Sequence, residues 1–480
     1  MYIMRIDFKS IIFRLYLLAF FLRLIPVLLT IDFGIGLDDM FQYDMLARSL
    51  AAGQGYRWYG EEDLALIERY FPADFFEGEY DPRGVLTSFR PPGYPFFLSL
   101  VYLVSGLQGR FFAARLVQAF VGALLAPLTY SLARRLFPEK EKIARFASLA
   151  VAVYPMLAVY SLALATENTF MPLLLGGTVA LLKAGETHRT RDYVLAGVLF
   201  GMAALTRSVV SVVLPFTMVW AWVYARDRKG ALILPICVLL FTVPWGLRNS
   251  LLHGSFYYVE SALGYDLHMG YHPESTGTFQ YGISLELMPY MDDAERHEVG
   301  MEMALGFIRD DPGRVPYLMA RKLGYFFSLE RRALSYFYTN NIVGYIPQPW
   351  FTFIFLLFTL PFVIIASSAA FSLPFLPWRK ETVLVGMLMF GYITPHIFIL
   401  AEPRFHLAML PFLAVLAGYT WVNRRDIWER AVSRKGRLAF VVASLLVALL
   451  VLNWALELWR DADNLAILFG PQGNLAHFPY

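Results

Sequence analysis

Paired carboxylates, Asp38 and Asp39, open the stretch Gly36–Tyr56, GLDDMFQYDMLARSLAAGQGY, directly after the first hydrophobic run. Tyr43, Leu46, Ala47 and Leu50 then recur at helical spacing, so the acids stand at the start of a short amphipathic helix that Gly53 and Gly55 end. A carboxylate at a membrane surface is costly to leave unpaired, and it can take a proton from a reacting hydroxyl. The structural alternative is that Asp38 or Asp39 caps the helix, since Asp is a preferred N-cap. Further polar residues recur between apolar runs: Arg90 in SFRPPGYP, Glu167 in ATENTF, Arg207 in LTRS, Arg248 and Asn249 in PWGLRNS, and Glu402, Arg404 and His406 in AEPRFH. Acids and arginines converging on one face would bind an anionic group and supply a base.

Each has a plainer reading. Arg90, Arg207 and Arg248 can snorkel to headgroups. Glu167 can cap the helix that starts at Asn168, and Glu402 can pair with Arg404. His268 and His272 read first as loop histidines. No cofactor is required, although Asp38, Asp39, Glu167 and a loop histidine form a donor set compatible with a divalent cation. There is no HExxH, Walker loop or GxSxG, and the basic–aromatic stripes of a nucleic-acid binder are absent from the outer loops.

The elements that must position these residues are membrane helices. Of 480 residues, 58% are hydrophobic and only 16% charged, which excludes an ordinary soluble enzyme. The one cysteine, Cys237, rules out an intrachain disulfide and a cysteine metal cage. No small-residue cleavage site follows the first apolar run, so that run is expected to stay as a span. An all-α polytopic protein is expected, with about eleven helices near the roughly 20 residues a crossing needs. They are Ile11–Thr30, Phe111–Leu132, Ile143–Leu162, Asn168–Leu182, Tyr193–Thr206, Val209–Tyr224, Ala231–Leu247, Trp350–Ala369, Thr382–Leu400, Phe405–Val422 and Leu438–Leu456.

Basic clusters set the orientation. With the N-terminus (Arg5, Lys9, Arg14) in the cytoplasm, Arg134/Arg135/Lys140/Lys142/Arg145, Lys183/Arg189/Arg191, Arg226/Arg228/Lys229, Arg379/Lys380 and Arg424–Arg437 all fall inside. This requires that Pro95–Gly106 lie on the outer interface, and that Tyr193–Tyr224 be two helices broken near Arg207. The order is then a cytoplasmic N-terminus with the first span (1–31), an acidic first outer loop (32–110) and spans two to seven (111–250). A second outer loop (251–347), spans eight to eleven (348–458) and a short outer tail (459–480) follow. The first loop holds Asp63, Glu68, Asp74, Glu77, Glu79 and Asp81; the second carries Val315–Tyr338, which mixes Arg321, Lys322, Arg331 and Arg332 with apolar residues as an interfacial helix does.

Taken in order, these segments resemble the GT-C glycosyltransferases, in particular the glycosyltransferase family 39-like group of protein O-mannosyltransferases and lipid A aminoarabinose transferases. The resemblance runs from the first span to about Tyr419. It rests on DDMFQYDMLARSL, FRPPGYPFFLSL, RLVQAFVGALLAPLTYSLARRLF, YPMLAVYSLALATENTF, GVLFGMAALTRS, PWGLRN, GYHPESTG and EPRFHLAMLPFLAVLAGY. It implies the GT-C fold and a catalytic acid after the first span. Asp39, four residues before Tyr43, matches best, with Asp38 beside it; the family usually has Glu next, where this chain has Met40. Arg90 matches a basic residue before Pro-Pro that is often His or Lys in relatives. Glu167 matches the Glu of a Thr-Glu element, and Arg248 and Arg404 match arginines of lipid-phosphate or structural type. Tyr43, Arg207, Asn249 and His272 complete the expected substrate contacts.

The function expected is sugar transfer from a polyprenyl phosphate to an acceptor hydroxyl on the extracytoplasmic face of the cell membrane, with inversion. The partners are the lipid-linked donor, an acceptor lipid, glycan or protein, and membrane lipids, with no nucleic acid. A flippase or transporter of lipid-linked sugars is the competing class. It would usually show inverted repeats and mid-bilayer charges; the sequence has no repeated half, and its charges gather at one face.

Overall fold

The computed structural model describes residues 10–36, 38–67 and 81–476. Arg5, Lys9, Glu68, Asp74, Glu77 and Glu79 lie outside the described residues. The chain is an all-α multi-pass membrane protein. Lipid offers backbone groups no hydrogen-bond partner, so long apolar segments close their bonds internally as helices.

Among the described residues, seven helices are long and apolar enough to cross a membrane: Ile11–Leu29, Arg110–Leu136, Arg228–His253, Trp350–Phe375, Lys380–Phe398, Pro403–Val422 and Arg437–Arg460. Glu141–Ala152 and Pro155–Leu162 make an eighth if taken as one span bent by 50°. The bend falls where Tyr154 is extended ahead of Pro155, whose ring disfavours a helical residue before it.

The other expected spans are helical but of a different kind. Glu167–Thr187 has 21 residues, most of them buried against protein. Thr190–Thr206 has 17 residues, and Val210–Val219 has 10 before a wider π turn at Trp220–Tyr224. Helices sheathed by other helices need less apolar surface than lipid-facing ones, so seven or eight spans rather than eleven meet the length and composition of a crossing.

The break near Arg207 is present. Thr190–Thr206 ends there, with Arg207 extended at φ −147 and ψ 118. The Pro95–Gly106 segment lies in a 13-residue helix, Gly93–Ser105, too short to cross. The expected interfacial helix divides into Arg314–Phe326 and Arg332–Thr339. One departure from all-α structure is a small antiparallel ladder in which Arg57 pairs with Leu86 and Trp58 with Val85.

The main core joins most of the long helices through residues such as Leu181, Phe200, Leu234, Leu384 and Leu410. A second cluster packs the Asp39–Ala51 helix against Gly93–Ser105 through Met40, Tyr43, Tyr94, Leu98 and Tyr102. The acids and arginines gather beside this second cluster.

Candidate active site

The two neighbouring aspartates have different jobs. Asp38 is extended at the N-cap of the Asp39–Ala51 helix, and its carboxylate accepts the Met40 N–H at 2.8 Å. Asp39 is the first helical residue. Arg90 Nη2 donates to Asp39 Oδ1 at 2.5 Å, and Arg404 Nη2 donates to Oδ2 at 2.6 Å. Burial pushes the Asp39 carboxyl upward, but the two guanidiniums outweigh it and hold the group well below the usual carboxylate range. Asp38 moves the other way, raised by burial and by the charge of Asp39.

Arg90 is fixed from several sides. Its Nε donates to Gln42 Oε1 at 2.9 Å, and its backbone carbonyl accepts the Tyr56 hydroxyl at 2.9 Å. The guanidinium lies over the rings of Tyr43 and Phe89. Three residues on, Gly93 meets the end of the Thr190–Thr206 helix so closely that a Cβ would stand 2.8 Å from the Leu205 carbonyl. Glycine permits that approach, which brings the Arg90 segment to the break at Arg207.

Arg207 and Glu167 form a second, more deeply buried pair, Nη1 to Oε1 at 2.5 Å. Thr166 Oγ1 also donates to Glu167, at 3.2 Å. The Arg207 guanidinium covers the Phe405 ring at 4.6 Å. Arg404 links the two pairs: its Nε stands 3.9 Å from Glu167 and 3.8 Å from Glu402, and that buried N–H has no hydrogen-bond partner. Glu402 gives one oxygen to Arg332 and the other to the Phe279 N–H.

Two buried side chains place these segments. Arg115 donates to the carbonyls of Leu162, Gly34 and Phe33, tying the linker before Asp38 to the bundle. His406 sets Nδ1 against the Phe326 carbonyl at 2.9 Å and Nε2 against Glu330 at 2.8 Å, which anchors the turn carrying Arg404. Arg115 had a sequence signal, a cation inside an apolar run. The partner of His406 had none.

The structure therefore brings together Asp39, Tyr43, Arg90, Glu167, Arg207 and Arg404. It places the other expected residues elsewhere. Arg248 donates to the Thr87 carbonyl at 2.5 Å and lies over Trp245, while Asn249 donates to the Val259 carbonyl at 3.1 Å. Both hold backbone. His272 meets Glu286 at 3.4 Å and accepts the Glu274 N–H at 3.1 Å.

Two acids from the segment between the Arg228–His253 and Trp350–Phe375 helices were not expected at the site. Glu260 accepts the Ser208 hydroxyl, next to Arg207. Asp266, on the Leu263–Tyr271 helix, has its carboxyl pushed up to about 7, first by burial and then by the charge of Glu260, while Arg90 pulls it down. An Asp in an unremarkable YDLH context gives no sign of this.

The donor set of Asp38, Asp39, Glu167 and a loop histidine does not assemble. Asp38 is a cap, and Asp39 and Glu167 are paired with arginines. Among the described residues, the group with metal-ligand spacing is His268, His272 and Glu286.

Residues 89–246 match the family model of dolichyl-phosphate-mannose-protein mannosyltransferase. The matched stretch begins one residue before Arg90 and includes Glu167 and Arg207. No curated protein matches the chain. Among solved structures, the chain is similar to the Archaeoglobus fulgidus oligosaccharyltransferase tethered with an acceptor peptide containing the NVT sequon. The identity is 15% and the TM-score 0.49, over 98% of this chain and 60% of that one. It is also similar to ArnT from Cupriavidus metallidurans bound to undecaprenyl phosphate, at 15% identity and a TM-score of 0.38, over 95% of this chain and 91% of that one. The chain spans 60% of the length of the oligosaccharyltransferase.

Proposed function

We propose that this protein is a membrane glycosyltransferase of GT-C type that moves a sugar from a polyprenyl phosphate to an acceptor hydroxyl at the extracytoplasmic face. One observation carries the reading. Asp39 is held by two arginines from opposite ends of the chain, and one of them, Arg404, keeps a buried N–H unspent. A buried donor without a partner is costly, and an incoming phosphate oxygen would satisfy it. The match of residues 89–246 to the mannosyltransferase family model supports the same reading.

The mechanism follows from competition for the arginines. In the resting site Asp39 is too weak a base, because Arg90 and Arg404 stabilise its charge. A donor phosphate draws both guanidiniums toward itself through charge-assisted hydrogen bonds. Freed of part of that field, Asp39 rises toward the range in which a general base works. The acceptor oxygen then attacks the anomeric carbon and gives its proton to Asp39. The bond from that carbon to the phosphate oxygen breaks, and polyprenyl phosphate leaves with the electron pair. Arg90 and Arg404 stabilise its growing charge. A single displacement inverts the anomeric centre. Glu167, paired with Arg207, helps hold Arg404 in place through its carboxylate 3.9 Å from the Arg404 Nε.

The test is transfer of labelled sugar from synthetic polyprenyl-phosphate sugars by the purified protein in liposomes, with products read by mass spectrometry. Turnover by the wild-type chain that is lost in Asp39→Asn is expected. Turnover that is equal in the wild type, Asp39→Asn and the Asp38→Asn/Asp39→Asn double variant would end the mechanism as written. Movement of the intact donor across the bilayer without transfer would favour a flippase.

A further inference from the structure

The second outer loop holds a cluster that the transfer mechanism does not use. His268 lies in the last turn of the Leu263–Tyr271 helix and His272 directly after it, four residues apart and therefore on one side of the helix end. Glu286 closes the short Tyr281–Leu285 helix and turns its carboxylate to both rings. One donor atom from each residue lies within 4.8 Å of the others.

Two features separate this cluster from an ordinary hydrogen-bonded one. First, His268 is fully buried; its Nδ1 has no hydrogen-bond partner, and its Nε2 meets Glu286 without closing a hydrogen bond. A buried imidazole normally satisfies at least one nitrogen. Secondly, Glu286 presents one carboxylate oxygen to each imidazole. His268 Nε2 is 3.2 Å from Glu286 Oε2, and His272 Nε2 is 3.4 Å from Oε1. The one donor atom per residue that a shared ion would take lies within 4.8 Å of the other two.

From these contacts we infer a divalent transition-metal site, of the zinc class, formed by His268, His272 and Glu286. Nitrogen and carboxylate donors in this number suit zinc, with water in the fourth position on the exposed Glu286 side. The ion ties the Leu263–Tyr271 helix to the Tyr281–Leu285 turn. That helix also carries Asp266, so the ion acts as a clamp on the loop facing the Arg90 side of the candidate site. Phe307 packs against both imidazoles and shields the inner side. One contact must yield: His272 Nδ1 accepts the Glu274 N–H, and binding through Nε2 puts the ring proton on Nδ1. Glu274 is exposed, so its amide can turn to water.

The inference does not depend on the transferase reading and is tested without a sugar donor. The purified chain is stripped with a chelator and titrated with Zn²⁺ alone. Bound metal is counted by mass spectrometry, and Co²⁺ loading is followed by its visible absorption. One Zn²⁺ per chain, a tetrahedral Co²⁺ spectrum and a rise in the unfolding temperature on Zn²⁺ addition are expected. His272→Gln and Glu286→Gln change partly exposed residues and spare buried His268. Each should fold, as judged by metal-free melting, and bind Zn²⁺ at least tenfold more weakly. Stoichiometric metal retained by the His272→Gln/Glu286→Gln double variant would overturn the assignment, as would a wild-type chain that binds no metal at micromolar Zn²⁺.

Discussion

Arg404 reaches Asp39 across 365 residues of sequence, Nη2 to Oδ2 at 2.6 Å. The contact joins the start of the Asp39–Ala51 helix to the Pro403–Met409 turn, and the proposed chemistry rests on it.

Asp39 and Asp38 should respond differently to the same change. Asn cannot accept a proton near neutral pH but caps a helix about as well as Asp. Asp38→Asn should therefore keep its fold and near-normal transfer. Asp39→Asn should lose roughly 10²–10⁴-fold in rate, the range for removing a general base. Single-turnover assays with labelled donor compare them. A rate loss confined to Asp38→Asn would exchange the roles of the two acids.

Arg90 directs separate N–H groups to Gln42 and Asp39, a fork that a lysine cannot reproduce. Arg90→Lys and Arg404→Lys should raise the apparent KM for the lipid donor, lower kcat, or both. Arg248→Ala should instead lower the unfolding temperature with little change in donor KM, because Arg248 holds the Thr87 carbonyl. Donor titrations beside melting curves separate the two outcomes, and an Arg248→Ala defect limited to KM would count against this division.

Asp266 gives stability a pH dependence of definite sign. Its carboxyl is raised from an ordinary 3.8 to about 7 in the folded chain, so folding favours its protonated form. That contribution is present at low pH and is lost as pH rises through about 7. Asp266→Asn should raise the unfolding temperature relative to wild type by more at pH 8 than at pH 5. A difference that does not change with pH would show that Asp266 titrates normally.

The orientation can be tested with an impermeant thiol reagent. Cys237 is buried and should give little background. A cysteine at Ser433, in the Arg424–Arg437 basic loop, should stay unlabelled in intact cells, and one at Ser255 should react. The reverse pattern would invert the topology.

The sequence determined much through local chemistry. Long apolar runs force helices in lipid, and PFFLSLVYLVSG is simply too short to cross, as the 13-residue Gly93–Ser105 helix bears out. The break at Arg207 was legible because a charged residue interrupts an apolar stretch. Acids and arginines set between apolar runs mark Asp39, Arg90, Glu167, Arg207 and Arg404 in the sequence itself. Tertiary structure decided what spacing cannot encode. Asp38 is the cap and Asp39 the shared acid because Arg90 and Arg404 each take one oxygen of Asp39 while Asp38 accepts the Met40 N–H. Arg248 and Asn249 turned to backbone carbonyls because the Val259 and Thr87 segments fold back over them. Asp266 joined the site, and His268, His272 and Glu286 came together, because a loop between spans brings distant residues into one place. Local sequence sets where a helix starts and which face is apolar. Which charge meets which depends on how the helices pack, and that is a property of the whole chain.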